Sequence, residues 1–135
     1  CHVGWHKMTR GLLDTNIFIS RETRRPLDVA SMPDEVSVSV ITLAELQHGI
    51  YKAANLEQKK IRMATYQHAA TLEALEITIE VANIWAGLRA STRGGKRQIT
   101  ENDLWIAATA ISQGIPLVTQ DRAFEGLQGL ETILV

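Results

Sequence analysis

The sequence predicts a single three-layer α/β/α domain, in which helices cover both faces of a central, mostly parallel β-sheet. Three observations support this fold class. The chain has 135 residues, of which 45% are hydrophobic, and this suits one globular domain with its own core. Short apolar segments alternate with longer segments of helical periodicity, which is typical of parallel sheets. The sequence contains no internal repeat or low-complexity tract that would indicate a second domain.

The strands are predicted from short apolar or β-branched runs. The first run, Gly11-Leu12-Leu13, leads directly into Asp14. Val36, Val38 and Val40 alternate with serines, in the pattern of a half-buried strand. Further strands are predicted at residues 75–77, 116–119 and 130–135.

The helices are predicted from apolar periodicity and from capping sequences. Two matches to the capping box, Thr42-Leu-Ala-Glu45 and Thr100-Glu-Asn-Asp103, predict that a helix begins at each threonine. Apolar residues at helical spacing from Val81 to Leu88 predict a long amphipathic helix that ends before Gly94-Gly95. Gly114 is placed to end the helix that carries Asp103. Further helices are predicted at residues 15–20 and 57–71, with a loop between residues 21 and 33.

Composition limits the classes of protein to which the chain can belong. The 15 acidic and 14 basic residues nearly cancel, so any nucleic-acid binding requires a local basic patch. The single cysteine, Cys1, excludes an internal disulfide framework and suits a reducing cytoplasm. The sequence shows no membrane-spanning run and no secretory signal pattern, so we expect a cytoplasmic protein without a membrane partner. Residues 1–7, which precede Met8, are expected to be a remnant or tail outside a domain of residues 8–135.

Four acidic residues occupy equivalent places in the predicted fold. Asp14 and Asp121 each follow a predicted strand. Glu45 and Asp103 each stand three residues after a threonine that is predicted to cap a helix. In an open α/β sheet, the carboxyl ends of the strands and the beginnings of the following helices share one edge, where ligands bind. We therefore expect the four carboxylates to converge, although each alone could be only a cap or turn residue.

Four carboxylates without cysteine or histidine partners would form a hard oxygen site, which favours Mg²⁺ or Mn²⁺. Without a cation they would repel one another and bind protons. A bound metal ion activates water and orients a phosphodiester. Asp14 and Asp121 are the stronger candidates for ligands. Glu45 and Asp103 would complete the shell or orient the attacking water.

Polar and basic residues surround the expected site. Asn16 and Thr119 lie at the same predicted edge, where their side chains can hold carboxylates by hydrogen bonds. Basic residues flank the Gly94-Gly95 break and either bind RNA phosphates or form a solvated loop. These residues are Arg89, Arg93, Lys96 and Arg97. A second basic cluster with a weaker case consists of Arg21, Arg24 and Arg25.

Aromatic and histidine residues are expected to be structural. Trp105 can stack on a base, but packing in the core or at a subunit interface is the better interpretation. Trp85 and Tyr51 are expected in the core. His48 and His68 are expected on helix surfaces.

Four motifs resemble those of PIN domains in their order and spacing, and the resemblance covers residues 8–135. The motifs are Leu12-Leu-Asp14-Thr-Asn16, Thr42-Leu-Ala-Glu45-Leu, Asn102-Asp103-Leu-Trp-Ile-Ala-Ala-Thr-Ala110 and Leu117-Val-Thr-Gln-Asp121-Arg-Ala-Phe124. Within that family the chain resembles the VapC toxins and their FitB-like relatives most strongly.

The resemblance implies a Mg²⁺- or Mn²⁺-dependent endoribonuclease toxin of a bacterial type II toxin–antitoxin system, which stops translation by cutting tRNA or ribosomal RNA. It implies a homodimer, and a VapB-type antitoxin whose C-terminal segment covers the active site in a toxin–antitoxin hetero-oligomer. Its acidic site would consist of Asp14, Glu45, Asp103 and Asp121, supported by Asn16 and Thr119. Glu101 is an alternative to Asp103 in the third motif.

Two other functions compete with this hypothesis. A haloacid-dehalogenase phosphatase also has an aspartate after its first strand, but a second aspartate usually follows two positions later. Here that position is Asn16, and the chain is short for that family. A non-catalytic PIN-like module that binds RNA or protein is the other alternative. Such modules usually lack one of the acids, whereas all four are present here.

Overall fold

The computed structural model describes residues 8–92 and 99–135, in which five strands form one sheet. The strand order is β3-β2-β1-β4-β5, and all neighbouring strands are parallel. The strands are β1 (Arg10–Leu13), β2 (Glu35–Ser39), β3 (Glu73–Leu75), β4 (Leu117–Thr119) and β5 (Thr132–Leu134). The helices are α1 (Thr15–Thr23), α2 (Val40–Tyr51), α3 (Leu56–Ala70), α4 (Ile79–Thr92) and α5 (Glu101–Gln113), with 3₁₀ turns at Val29–Ser31 and Arg122–Phe124.

Successive residues of the central strands point to opposite faces of the sheet and so build two cores. Leu12 and Leu117 are fully buried in the core formed with α4 and α5. Their neighbours Leu13 and Val118 pack in the second core, with α1, α2 and α3. A parallel sheet that is covered on both sides needs apolar residues on both faces. The predicted three-layer α/β/α fold is confirmed.

The helix that carries Glu45 begins earlier than the sequence predicts. Its N-cap is Ser39, whose hydroxyl accepts hydrogen bonds from the amides of Ile41 (2.9 Å) and Thr42 (3.3 Å). Thr42 is therefore a fully buried residue of the first turn, and Glu45 lies in the second. The capping box predicted at Thr42 is wrong, because the serine that ends β2 takes the cap position first.

The capping box predicted at Thr100 is confirmed. The Thr100 hydroxyl accepts a hydrogen bond from the amide of Asp103 (3.0 Å), and the Asp103 carboxylate accepts one from the amide of Thr100 (3.3 Å). At the other end of α5, Gly114 adopts a φ of 66°, the left-handed conformation in which a glycine costs least. These local signals fix the position of Asp103 in the first turn of α5.

Of the two aromatic residues expected in the core, one is there and one is not. Tyr51 is 80% exposed at the end of α2, so its assignment to the core is wrong. Trp85 packs against the core and stacks on Trp105, with ring centroids 4.7 Å apart.

In the described ranges, no helix is long and apolar enough to cross a bilayer. The expected tail of residues 1–7 and the Gly94-Gly95 break lie outside the described residues.

Gly11→Ala should destabilise the fold, because β1 has no room for a side chain there. An added Cβ would lie 2.7 Å from Cγ of Pro33 and 2.9 Å from Cγ2 of Val118. Overpacking of this kind costs about 1–3 kcal/mol, measurable by urea unfolding. Gly87→Ala in α4 is the matched control: its Cβ meets nothing within 4 Å, so it should gain up to about 1 kcal/mol. Equal effects of the two substitutions would contradict this packing.

Candidate active site

Asp14 lies at the carboxyl end of the central strand and is only 4% exposed. Its backbone amide donates to the carbonyl of Val118 (2.9 Å), which ties it to β4. Its Oδ1 accepts a hydrogen bond from the amide of Thr15 (2.8 Å), so Asp14 is the N-cap of α1. Its Oδ2 accepts a hydrogen bond from the hydroxyl of Thr119 (2.7 Å). The carboxylate is therefore fixed from both sides, by α1 and by the end of β4.

The Thr119 hydroxyl connects the first motif with the last. While it donates to Asp14, it accepts hydrogen bonds from Nδ2 of Asn16 (3.3 Å) and from the amide of Asp121 (3.0 Å). Oδ1 of Asn16 in turn accepts from the amide of Gln120 (3.4 Å). Thr119 thus holds a carboxylate directly, whereas Asn16 contacts no carboxylate of the described residues and acts on Asp14 only through Thr119. They join the start of α1 to the loop that carries Asp121.

Glu45 is oriented by two threonines. The Thr15 hydroxyl donates to Oε1 of Glu45 (2.7 Å) and lies 2.9 Å from the hydroxyl of Thr42. Because Thr15 has one hydroxyl proton, which goes to Glu45, Thr42 must be the donor in the second bond. Oε2 of Glu45 accepts a longer hydrogen bond from Nδ2 of Asn102 (3.5 Å).

Sequence reasoning assigned no site role to Thr15, Thr42 or Asn102. A signal was nevertheless present for two of them. Thr15 directly follows Asp14 and Asn102 directly precedes Asp103, so both belong to the motifs that carry the acids. The orientation of their side chains depends on how α1, α2 and α5 approach one another, which local sequence does not show.

Two of the four acids, Asp14 and Asp103, have a raised pKa, in part because other acids lie close to them. Burial raises the pKa of Asp14 from 3.8 to about 6, although the hydrogen bonds from its two threonine neighbours oppose the rise. The negative charges of Asp103 and Glu45 raise this pKa further. The pKa of Asp103 is also raised, first by burial and then by the charge of Asp121. The structure therefore brings the four acids to one edge of the sheet, as the sequence predicts.

The donor set fits a hydrated divalent cation. None of the four acids forms an ion pair with a lysine or arginine of residues 8–92 or 99–135. Across those residues, no three carboxylate, imidazole or thiol groups are arranged closely enough to enclose a metal by themselves. Mg²⁺ typically keeps several waters and binds through one or two carboxylates together with substrate phosphates. Asp14 offers a buried ligand of this kind, and Asp121 an exposed one at the rim.

The two acids of the third motif, Glu101 and Asp103, have different charged neighbours. Arg89 lies in the last turn of α4, with Nε 3.9 Å from Oε1 of Glu101, and both side chains are largely exposed. Glu101 is thus directed to an arginine, whereas the charge of Asp103 acts on Asp14. This geometry favours Asp103 over Glu101 in the acidic site. The other three basic residues around the Gly94-Gly95 break, Arg93, Lys96 and Arg97, lie outside the described residues.

Comparisons with known proteins agree with this geometry. Residues 11–130 match the model of the PIN domain family. Ribonuclease VapC5 of Mycobacterium tuberculosis is 42% identical over 123 residues, which are 91% of this chain and 91% of that protein. The crystal structure of VapBC-5 from the same organism, a member of the VapBC family of toxin–antitoxin systems, matches with a TM-score of 0.84 and 39% identity. That match covers 94% of this chain and 99% of that chain.

A second solved structure is more distant. VapBC2 of Rickettsia felis, bound to a DNA fragment from its promoter, matches with a TM-score of 0.75 and 26% identity, over 93% of this chain and 98% of that chain. The family match covers most of the sequence, and the likeness extends from the four motifs to the whole fold. The chain belongs to the PIN-domain family and, within it, to the VapC ribonucleases.

Proposed function

We propose that this chain is a divalent-metal-dependent endoribonuclease toxin that cleaves tRNA or ribosomal RNA in the cytoplasm and thereby inhibits translation. The observation that carries the proposal is the buried carboxylate of Asp14, which is surrounded by further acids and lacks a basic partner among the described residues. Such an arrangement is costly unless a cation or a proton neutralises it. The similarity of the chain to ribonucleases favours a cation over a proton as the neutralising group.

Mg²⁺ or Mn²⁺ bound at this edge would activate a water molecule and offset the charge that develops on the phosphodiester. Asp14 is suited to hold the ion, because two hydrogen bonds fix its carboxylate and leave lone pairs on both oxygens. Glu45 is suited to position water, because Thr15 holds one of its oxygens while Asn102 holds the other only weakly. Asp103 and Asp121 complete the acidic site.

The proposed partners follow from the similar complexes. The VapBC structures contain a toxin and an antitoxin, so we propose that a VapB-type antitoxin neutralises this chain in a hetero-oligomer. We also propose that residues 8–135 form a single PIN-like nuclease domain and that the chain is a homodimer. The RNA would be contacted by the basic segment that contains Arg89, Arg93, Lys96 and Arg97.

Asp14→Asn should abolish metal-dependent RNA cleavage. The substitution keeps the shape of the side chain but removes the charge that binds a cation, so we expect a loss of about a hundredfold or more. The assay is cleavage of a structured RNA pool by the purified chain with Mg²⁺ or Mn²⁺, repeated with EDTA. Glu76→Gln, which neutralises an exposed acid outside the site, is the matched control. Cleavage that survives both EDTA and Asp14→Asn would contradict the proposal, and a folded chain that binds metal without cleaving would favour a non-catalytic binding module.

The stability of the metal-free protein should depend on the ionisation of Asp14. Its pKa is raised from 3.8 to about 6 in the folded chain, so the folded state binds this proton more tightly than the unfolded state. The stabilising contribution is therefore complete below about pH 4 and is lost as the pH rises through about 6. The loss corresponds to about 3 kcal/mol.

Asp14→Asn lacks this ionisation, so in EDTA its free energy of unfolding should rise relative to wild type as the pH increases from about 4 to about 7. Urea unfolding at several pH values measures the difference. Mg²⁺ at neutral pH should then stabilise the wild type more than the variant. Identical pH profiles for the two proteins would contradict the burial of an ionisable Asp14.

Thr15→Val should lower the cleavage rate without unfolding the chain. Valine fills the same space but cannot donate to Glu45, so the carboxylate loses its short hydrogen bond. We expect the rate to fall by about tenfold to a hundredfold. Thr15→Ser keeps the hydroxyl and should retain most of the activity. If valine and serine reduced the rate equally, the hydroxyl would not be responsible.

A further inference from the structure

A groove between α1 and α2 leads away from the acidic site. The residues that line it are about one helical turn apart: Thr15, Ile19 and Glu22 on α1, and Glu45 and Gly49 on α2, followed by Lys52, the C-cap of α2. The groove encloses about 420 Å³. The hydrogen bond between Thr15 and Glu45 joins the two helices at the end next to Asp14. The groove therefore begins at the acids that are proposed to act on RNA.

The other end of the groove carries two cations. Arg62 reaches it from α3, and its Nη1 donates to the backbone carbonyl of Gly49 (2.6 Å). This bond satisfies one of the last carbonyls of α2 and holds the guanidinium in place. It uses one of five N–H donors. Neither Arg62 nor Lys52 forms an ion pair with a carboxylate in the described part of the chain.

We propose that this groove binds the RNA strand next to the cleaved bond, and that Arg62 and Lys52 hold one of its phosphates. The inference rests on the proposed nuclease function. Guanidinium and ammonium groups are the usual protein partners of backbone phosphates. Glu22, on the α1 side, would repel a phosphate and so confine it to the side of α2 and α3.

The dimensions and the lining agree with a short stretch of single strand. Glu45 and Lys52 are seven residues apart, which is about 10 Å along a helix axis. This distance accommodates about three nucleotides at the 3.4 Å rise of a stacked strand. Ile19, which is 41% exposed, lies between the two ends and offers an apolar surface to a base or ribose. Gly49 keeps the middle of the groove open, because it has no side chain.

Two substitutions test the groove without touching the acidic site. Gly49→Leu places a side chain in its middle. The nearest heavy atom to the new Cβ is Cδ of Arg62 at 3.9 Å, and leucine favours a helix by about 1 kcal/mol over glycine, so the chain should still fold. Lys52→Gln removes one charge at the far end. Lys60→Gln is the matched control, because it removes an exposed charge of α3 that does not line the groove.

The measurement is the affinity of each protein for a fluorescein-labelled single-stranded RNA oligonucleotide in EDTA, by fluorescence anisotropy at several salt concentrations. We expect each of these two substitutions to raise the Kd by about fivefold to tenfold, Lys52→Gln because a charge-assisted contact is lost and Gly49→Leu because the new side chain blocks the groove. Lys52→Gln should also reduce the slope of log K against log salt by about 0.7. Lys60→Gln should bind like wild type. If wild type does not bind this RNA, or if all three variants match it, the inference is overturned.

Cleavage by the same proteins with Mg²⁺ separates this inference from the proposed function. A wild type that binds RNA through the groove but never cleaves it contradicts the nuclease proposal and leaves the groove as an RNA site. Variants that bind RNA normally but escape neutralisation by the antitoxin would show that the groove receives a protein segment. That result would overturn the inference while the nuclease function stands.

Discussion

The burial of one carboxylate, that of Asp14, is the constraint on which the organisation of this protein depends. A charge that is 4% exposed has lost most of its water, and the structure replaces that water with the amide of Thr15 and the hydroxyl of Thr119. These two hydrogen bonds do not fully replace the lost hydration, and the pKa of Asp14 therefore remains raised. The chain thus accepts a less stable fold in exchange for a site that attracts a cation, a compromise found at many active sites.

The parallel sheet makes this arrangement possible. Because all five strands run in one direction, the residues that follow them gather at one edge, where α1 and α2 also begin. Asp14 caps α1, Asp121 caps a 3₁₀ turn, and Asp103 closes a capping box. Capping and metal binding are therefore compatible roles here. A carboxylate that accepts one or two backbone hydrogen bonds keeps further lone pairs for a cation.

Three threonines give the acidic site its geometry. A hydroxyl has a single proton, so once its best acceptor is known, the direction of its other hydrogen bonds follows. Thr119 donates to Asp14 and accepts from the loop that leads to Asp121. Thr42, buried in α2, donates to Thr15, which donates to Glu45. Both chains of hydrogen bonds end on a carboxylate, and this orients the carboxylates without adding a positive charge that would compete with a metal ion.

The sequence by itself determined the fold class, the order of strands and helices, the cap at Thr100 and the gathering of the acids at one edge. The fold class, the order of elements and the cap depend on periodicity and on contacts between residues three or four positions apart. The gathering of the acids then follows from the parallel sheet that this pattern predicts. Tertiary structure alone decided that Ser39 rather than Thr42 caps α2, that Tyr51 is exposed, and that Thr15 meets Glu45. It also placed Arg62, at the far end of the groove, against the carbonyl of Gly49. The physical reason is that both outcomes depend on contacts between distant parts of the chain. The point at which β2 leaves the sheet decides which residue caps α2. The approach of neighbouring helices decides which group a hydroxyl or guanidinium binds, and no local sequence pattern encodes that approach.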